Sequence, residues 1–332
     1  MPTTRKILVV GSNSFSGSYF IDLLLEDRGN DVVGISRSPE YNPIFLSYKR
    51  HRQPNFKFYQ LDLNRDMPQI DQLLDAFQPD YVVNFAAQGE VSTSWSNPAQ
   101  WFQTNAVAMT EFAQVLNKKK FLKKYVHIST PEVYGACKGN VKEDAPLNPS
   151  TPYAASKAAG DLSLLTFYKN FNFPLVIVRS TNVYGAHQQL YRIIPKTCKF
   201  IKMGKKIGLQ GAGEAVKSYI HVRDVSRADL AVMEQGRMGE VYHFSPDEHH
   251  KVKEIVRLVC EKMGANFDQV TEIVPDRVGQ DPYYVIDSSK ARNELGWRPQ
   301  VRLDNGIEEV IRWINQEWAT IHREPHEYSH KP

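Results

Sequence analysis

Long apolar runs are missing from these 332 residues. None approaches the ~20 consecutive apolar residues that cross a bilayer, so no membrane-spanning protein is expected. Cysteine is scarce. Cys137, Cys198 and Cys260 stand far apart with no C-x-x-C pair, which leaves no disulfide framework and no zinc site. An excess of one charge is also lacking: 41 Lys and Arg face 37 Asp and Glu, for a net charge of +4. That balance suits an anionic small molecule without demanding one. The densest basic patch, Lys118–Lys120 with Lys123 and Lys124, falls at the end of a helical pattern, where cations favour the helix dipole. It reads as a solvated helix end, and no nucleic-acid partner is expected. Met1–Lys6 leads into an apolar strand without the charged region, apolar stretch and cleavage site of a secretory leader. Together with reduced thiols this predicts a cytoplasmic protein.

What is present is 42% apolar residues in a repeating β-α rhythm. Lys6–Val10 is an apolar run suited to a strand buried on both faces. A glycine-bearing turn, residues 11–17, leads to a helical pattern over Ser18–Arg28, which Gly29 should stop. Asp31–Ser36, Phe56–Gln60, Tyr81–Ala86, Tyr125–Ser129 and Leu175–Arg179 read as further strands. Asp66–Phe77, Pro98–Asn117 and Pro152–Phe171 read as the intervening helices. Repeated β-α units predict an α/β fold, a Rossmann-type doubly wound parallel sheet, over residues 1–180. Residues 181–332 should form a smaller C-terminal α/β lobe, with a segment near 217–245 crossing back to the sheet. Within it Ile193–Met203, Asp224–Gln235 (Asp224 as N-cap), Val252–Met263, Ser289–Leu295 and Gly306–Trp318 read as helices. Lys217–Val222 and Val241–Ser245 read as strands, and Gly296 as a helix stop. The tail from His322 is polar and is expected to be mobile.

The chemistry gathers around residues 124–157. Thr130 and Glu132 fall at or just beyond the end of one strand, where ligands of such sheets lie. Pro152 suits a first helical turn, and Tyr153 and Lys157, four apart, share one helix face. A hydroxyl, a carboxylate, a phenol and an ammonium thus converge. A free phenol titrates near ~10, and an adjacent ammonium favours its phenolate. His127 alternates with apolar neighbours and reads as a core residue. The first turn, Gly11-Ser12-Asn13-Ser14-Phe15-Ser16-Gly17, lies between strand and helix, where closely spaced glycines let a pyrophosphate approach the helix N-terminus. After the second strand stands Ser36-Arg37-Ser38, with no acid until Glu40. This favours NADP, whose 2′-phosphate an arginine accepts, over NAD. Asp62 and Leu63 can cap an adenine, and Ala86 and Ala87 leave room for backbone to approach a cofactor.

Together the glycine turn, N-F-A-A-Q (84–88), S-T-P-E-V-Y-G (129–135), Y-A-A-S-K (153–157), R-S-T-N-V-Y-G (179–185) and D-R-V-G-Q-D (276–281) resemble the extended short-chain dehydrogenase/reductase family. The likeness spans almost the whole chain. Within that family the chain is most similar to nucleotide-sugar 4,6-dehydratases. S-R-S and Gln88 look like the GDP-mannose enzymes, and the later motifs like the dTDP-glucose enzymes. The resemblance implies an NDP-hexose 4,6-dehydratase with a tightly bound NAD(P) regenerated in each turnover, and a homodimer built on a four-helix bundle of Pro98–Asn117 and Pro152–Phe171.

It assigns catalysis to Thr130, Glu132, Tyr153 and Lys157. Cofactor contacts fall on Gly11, Asn13, Ser14, Phe15, Ser16, Gly17, Arg37, Asp62, Leu63, Ala86, Ala87, Gln88 and Asn105, with Tyr153 and Lys157. Contacts to the nucleotide-diphosphate sugar fall on Gln88, Glu90, Ser94, Asn182, Lys217, Arg277 and Gln280. The departures are Pro131 where an Asp often acts as acid, Glu90 and Gln280 for His, Lys217 for Arg, and Ala186 for Pro. Proline donates no proton, so Glu132 or a water must protonate the leaving hydroxyl. An NDP-uronate decarboxylase and a 4-epimerase are the competing activities. A cofactor sensor without turnover would be expected to have lost Tyr153 or Lys157, and both are present.

Overall fold

The computed structural model describes residues 4–51, 55–276, 278–279 and 281–330. Strands β1 (Arg5–Val10), β2 (Asn30–Ser36), β3 (Phe56–Gln60), β4 (Tyr81–Asn84) and β5 (Lys124–Ile128) join Leu175–Ser180 and Val241–Phe244 in one seven-stranded sheet. From one edge the order is Val241–Phe244, Leu175–Ser180, β5, β4, β1, β2, β3, and every neighbouring pair is parallel. β1 shows why this sequence makes a central strand. Ile7 and Val9 enter the core on one face, and Leu8 and Val10 the core on the other. All four are at most 1% exposed, and each such side chain contributes roughly 1.5–3 kcal/mol by burial. The strand order reverses between β1 and β4, which opens a crevice beyond their carboxyl ends.

Helix α1 (Phe15–Leu24) begins three residues before the sequence pattern suggests. The Ser14 hydroxyl accepts from the Gly17 amide at 3.0 Å and caps it. It also ends before Gly29, because the Asn30 side chain donates to the Leu24 carbonyl at 2.7 Å. The expected helix over residues 98–117 is present as Pro98–Phe102, a π-helical turn at Gln103–Val107, and Ala108–Leu116. Pro152–Phe171 is one unbroken helix, as its spacing indicates.

Two segments differ in kind. The stretch after Gly135, between the expected strand 125–129 and helix 152–171, contains strand Cys137–Val141, which pairs with Tyr283–Ile286 in a four-stranded sheet. Lys217–Val222 is two strands, Val216–Lys217 and Tyr219–His221, belonging to different sheets. Asp224 is not the N-cap of its helix. That helix is Val222–Gln235, capped by the His221 ring, which accepts from the Arg223 amide at 3.2 Å. Asp224 is buried in the first turn and accepts from the amides of Gln300 (2.8 Å) and Val301 (3.0 Å). It holds a remote loop instead of its own helix end. No helix among the described residues is long and apolar enough to cross a membrane.

Candidate active site

The glycine turn closes over the reversal point. Gly11 has φ +80°, and a Cβ there would stand 2.6 Å from the Ala86 amide nitrogen; one on Gly17 would strike the Gly11 carbonyl. These glycines are therefore what allows the turn to lie against the end of β4 and present the α1 N-terminus to the crevice. The cleft there has a volume of about 230 Å³. Gly11, Asn13 and Ser14 line it from the turn, Arg37 from beyond β2, and Asp62 and Leu63 from beyond β3. Ala86, Ala87, Gln88 and Glu90 line it from beyond β4. A glycine cradle, a helix N-terminus and a guanidinium in one cleft fit a nicotinamide dinucleotide.

Other residues assigned to the cofactor have different surroundings. Phe15 packs on Tyr19, with ring centroids 5.5 Å apart, in an apolar cluster with Val222. The Asn13 side chain donates to the carbonyls of Ser38 and Pro39, each at 2.9 Å, and ties the turn to the loop after β2. Asn105, in the π-helical turn, sits behind Gln88. It accepts from the Gln88 amide at 2.8 Å and donates to the Gln88 carbonyl at 3.0 Å. Ser94 is fully buried and its hydroxyl donates to the Val91 carbonyl at 2.6 Å.

Thr130 caps the short 3-10 turn Pro131–Tyr134, accepting from the Glu132 amide at 3.2 Å, and shares a 3.1 Å hydrogen bond with the Tyr284 hydroxyl. Tyr153 faces the same place: burial pushes its phenol up, the Glu132 carboxylate adds to this, and a hydrogen bond with Thr130 opposes it. Glu132 is also raised, first by burial; Lys217 opposes, and Asp281 raises it further. Burial pulls the Lys157 ammonium down to about 8, against the attraction of Asp161. It donates to the Ile128 carbonyl at 2.8 Å and lies 3.3 Å from His127 Nε2. The expected pull of Lys157 on the phenol is thus not what sets its state. The protein holds Tyr153 as a neutral phenol because burial and Glu132 dominate. His127 is more than a core residue. It is fully buried, burial and then Lys157 hold it well below the usual imidazole range, and its neutral ring accepts from that ammonium.

Asn182 donates to the Ser218 carbonyl at 3.4 Å, and the Lys217 ammonium lies 5.0 Å above the Tyr284 ring. Arg277 and Gln280 lie outside the described residues. Near them, Trp95 donates to the Val278 carbonyl at 3.3 Å and Ser150 to Asp281 at 2.7 Å. Sequence reading overlooked Arg192, 3.5 Å from Glu90, which acts on both Tyr153 and Glu132. It also overlooked Tyr284 and the Asp161–Arg179 pair at 2.7 Å. Asp161 could have been found, four residues beyond Lys157 on the same helix face. Arg192 and Tyr284 carry no local signal. A larger cavity, about 750 Å³, lies beside α1, between Asp22, Arg50, Arg223 and Glu309. It holds none of the expected site residues, and these charges pair with one another.

Comparison with known proteins agrees with this geometry. A family model described as GDP-mannose 4,6 dehydratase matches residues 8–310. A dTDP-glucose 4,6-dehydratase of Streptomyces niveus is 31% identical, with 98% of each chain covered. The crystal structure of a dTDP-glucose 4,6-dehydratase from Streptomyces venezuelae with NAD bound superposes with a TM-score of 0.89 at 28% identity, covering 95% of this chain and 98% of that one. A UDP-glucuronic acid 4-epimerase from Bacillus cereus, in complex with UDP-glucuronic acid and NAD, gives 0.86 at 28% identity, covering 94% and 99%.

Proposed function

The chain belongs to the GDP-mannose 4,6 dehydratase family, and on that premise we propose that it converts an NDP-hexose to the NDP-4-keto-6-deoxyhexose. The observation that carries this reading is Glu132. Its carboxylate stands beside Tyr153 and is raised by burial, as an acid–base group working near neutral pH should be. A 4-epimerase has no use for it. A nicotinamide dinucleotide held by the glycine turn and the cleft around Arg37, Asp62 and Ala86 would supply a reversible hydride store for the oxidation at C4 and the reduction at C6. Thr130 orients Tyr153, which burial holds as a neutral phenol; with Lys157 and the positive charge of an oxidised nicotinamide beside it, the phenolate is favoured and would take the proton of the sugar 4-hydroxyl. The C4 ketone acidifies the C5 proton, and Glu132 removes it. Pro131 has no proton to give, so Glu132 passes the same proton to the departing C6 hydroxyl; as hydride is added at C6, a proton from solvent reaches C5 through Glu132, which balances the one taken from the 4-hydroxyl. One water is lost and no net redox change results. In this reading Lys217, Arg192 and Asn182 meet the diphosphate and sugar.

The preferred cofactor in this reading is NADP, because Arg37 lines the cleft and neither Ser36 nor Ser38 supplies a carboxylate for a ribose 2′-hydroxyl. The structural relative holds NAD, so binding of both dinucleotides should be compared. The reading also places the protein in the cytoplasm, with residues 1–180 carrying the cofactor and 181–332 most of the nucleotide-sugar contacts. It makes the protein a homodimer through Pro98–Leu116 and Pro152–Phe171, which expose Phe102, Val107, Leu162 and Phe171 where a four-helix bundle would cover them.

A second reading rests on Arg192. A guanidinium facing Glu132 and Tyr153 could hold a C6 carboxylate, as an NDP-uronate decarboxylase requires. Mass spectrometry separates the two after incubation with nucleotide hexoses and uronates without added reductant. Loss of one water from a hexose is expected. Loss of CO₂ from a uronate would replace the dehydratase by the decarboxylase, and an isomer of unchanged mass by the epimerase.

A further inference from the structure

The chain beyond His322, expected to be a mobile tail, runs across the mouth of the cofactor cleft and is held from both sides. From the C-terminal side, Lys199 donates to the Glu324 carbonyl. The His326 ring stands edge-on to Phe200 at 5.0 Å, and Tyr328 stands edge-on to Tyr191 at 5.4 Å. From the sheet side, Asn42 donates to the Glu324 carboxylate at 3.1 Å. The His330 ring lies flat on Trp101, with centroids 4.9 Å apart and planes 7° apart. Tyr328 is itself part of the cleft wall.

We propose that residues 324–330 form a clasp over the dinucleotide cleft, in which Tyr328 covers the bound cofactor and His330 positions Gln88 toward Arg37. A glutamine can present either end of its amide, and here both ends are used. Gln88 Nε2 donates to His330 Nδ1 at 2.9 Å, and Gln88 Oε1 accepts from Arg37 at 3.0 Å. His330 Nε2 bonds Gln100 Oε1, which commits that nitrogen and turns Nδ1 toward the Gln88 amide. The His330 and Arg37 contacts together fix which end of Gln88 faces the guanidinium. Asn105 holds the Gln88 backbone from behind, so the amide can respond only by turning. Without His330 the amide loses one of the contacts that hold its Oε1 toward Arg37. Tyr328 closes one side of the cleft, so in this proposal the clasp lifts for loading and settles over the cofactor once it is in place.

The inference rests on the reading of this cleft as the dinucleotide site. It fits a reaction in which the hydride returns to the product, since such a cofactor never needs to leave. The test is the release rate of NADP and of NAD, followed by chasing loaded enzyme with excess competitor and reading protein fluorescence. Three proteins are compared: the full chain, a chain ending at Arg323, and the full-length variant His330→Ala. Release about tenfold faster in both altered proteins is expected, the size of one lost hydrogen bond, with His330→Asn restoring part of the retention. Equal release in all three, or slower release from the shortened chain, would overturn the clasp; the latter would make the tail a plug. A His330→Ala chain that behaves as the full chain while the truncation releases faster would overturn the positioning role. A full chain that binds neither dinucleotide overturns the function reading as well. One that binds and turns over, but is indifferent to the tail, overturns the clasp alone.

Discussion

Lys157 carries its charge inside the protein, and pH should reveal this. Its ammonium is fully enclosed among Ile128, His127, Asp161 and Arg179, and burial brings it down to about 8. In the unfolded chain a lysine keeps its proton to about 10.4. Between those values the unfolded state binds more protons than the native state, so this group's contribution to stability rises with pH. At pH 7 it is a penalty of at most roughly 3 kcal/mol. In Lys157→Met that pH dependence disappears. The stability of the variant relative to the parent, from thermal melts, should fall as pH rises from 7 to 10. The freed Ile128 carbonyl sets the offset between the two proteins but not this slope. Turnover should be lost at every pH. A difference that stays flat with pH would show that Lys157 keeps its proton in the native protein up to about pH 10, so that burial does not depress it. Among single residues, those legible in the sequence are the ones whose partners are near in the chain: Tyr153 with Lys157, Thr130 with Glu132, Gly11 with Gly17. Arg192, Tyr284 and His330 reach the site from elements remote in sequence. Only packing brings them there, and no periodicity marks them.

Between helices the site depends on one glycine. Gly160 lies in Pro152–Phe171, and a Cβ there would collide with the carbonyl of Asn105. The π-helical turn containing Asn105 can therefore approach that helix only because residue 160 has no side chain. The Asn105 side chain completes the contact, donating to Ser156 Oγ at 2.9 Å. Gly160→Ala should force the turn outward. The expected result is a loss of about 1–3 kcal/mol from overpacking, with weakened cofactor binding because Gln88 loses its support. Chemical denaturation and a dinucleotide titration on the same protein would check both. Full stability with unchanged binding would show that the helices separate at no cost. The sequence pattern identified both helices but not the π turn. Periodicity reports which face is buried, and one extra residue in a turn alters it too little to be seen. The short strands 137–141 and 216–217 were obscured for another reason. Each pairs with chain far away, and neither is long enough to show alternation.

For the whole molecule, the apolar side chains left outside Pro98–Leu116 and Pro152–Phe171 predict association. Leu162 is 54% exposed at a helix centre, where a charge would be tolerated by a monomer and not by a helix bundle. Leu162→Glu should shift a dimer to monomer in sedimentation velocity while leaving the thermal midpoint of the monomer little changed. A parent protein that sediments as a monomer would refute the dimer. The doubly wound sheet was legible because its strands and helices alternate in order along the first half of the chain.

The exception is the edge. Val241–Phe244 closes the sheet beside Leu175–Ser180, after the chain has made an excursion through residues 181–240. On the ribosome, at about 5–20 residues per second, six strands therefore wait roughly 3–12 seconds for the seventh. During that interval the backbone of Leu175–Ser180 offers unpaired hydrogen-bonding groups to any neighbouring strand. Nascent chains halted between residues 190 and 230 should accordingly be held by chaperones or aggregate, and synthesis that slows there should lower the yield of soluble protein.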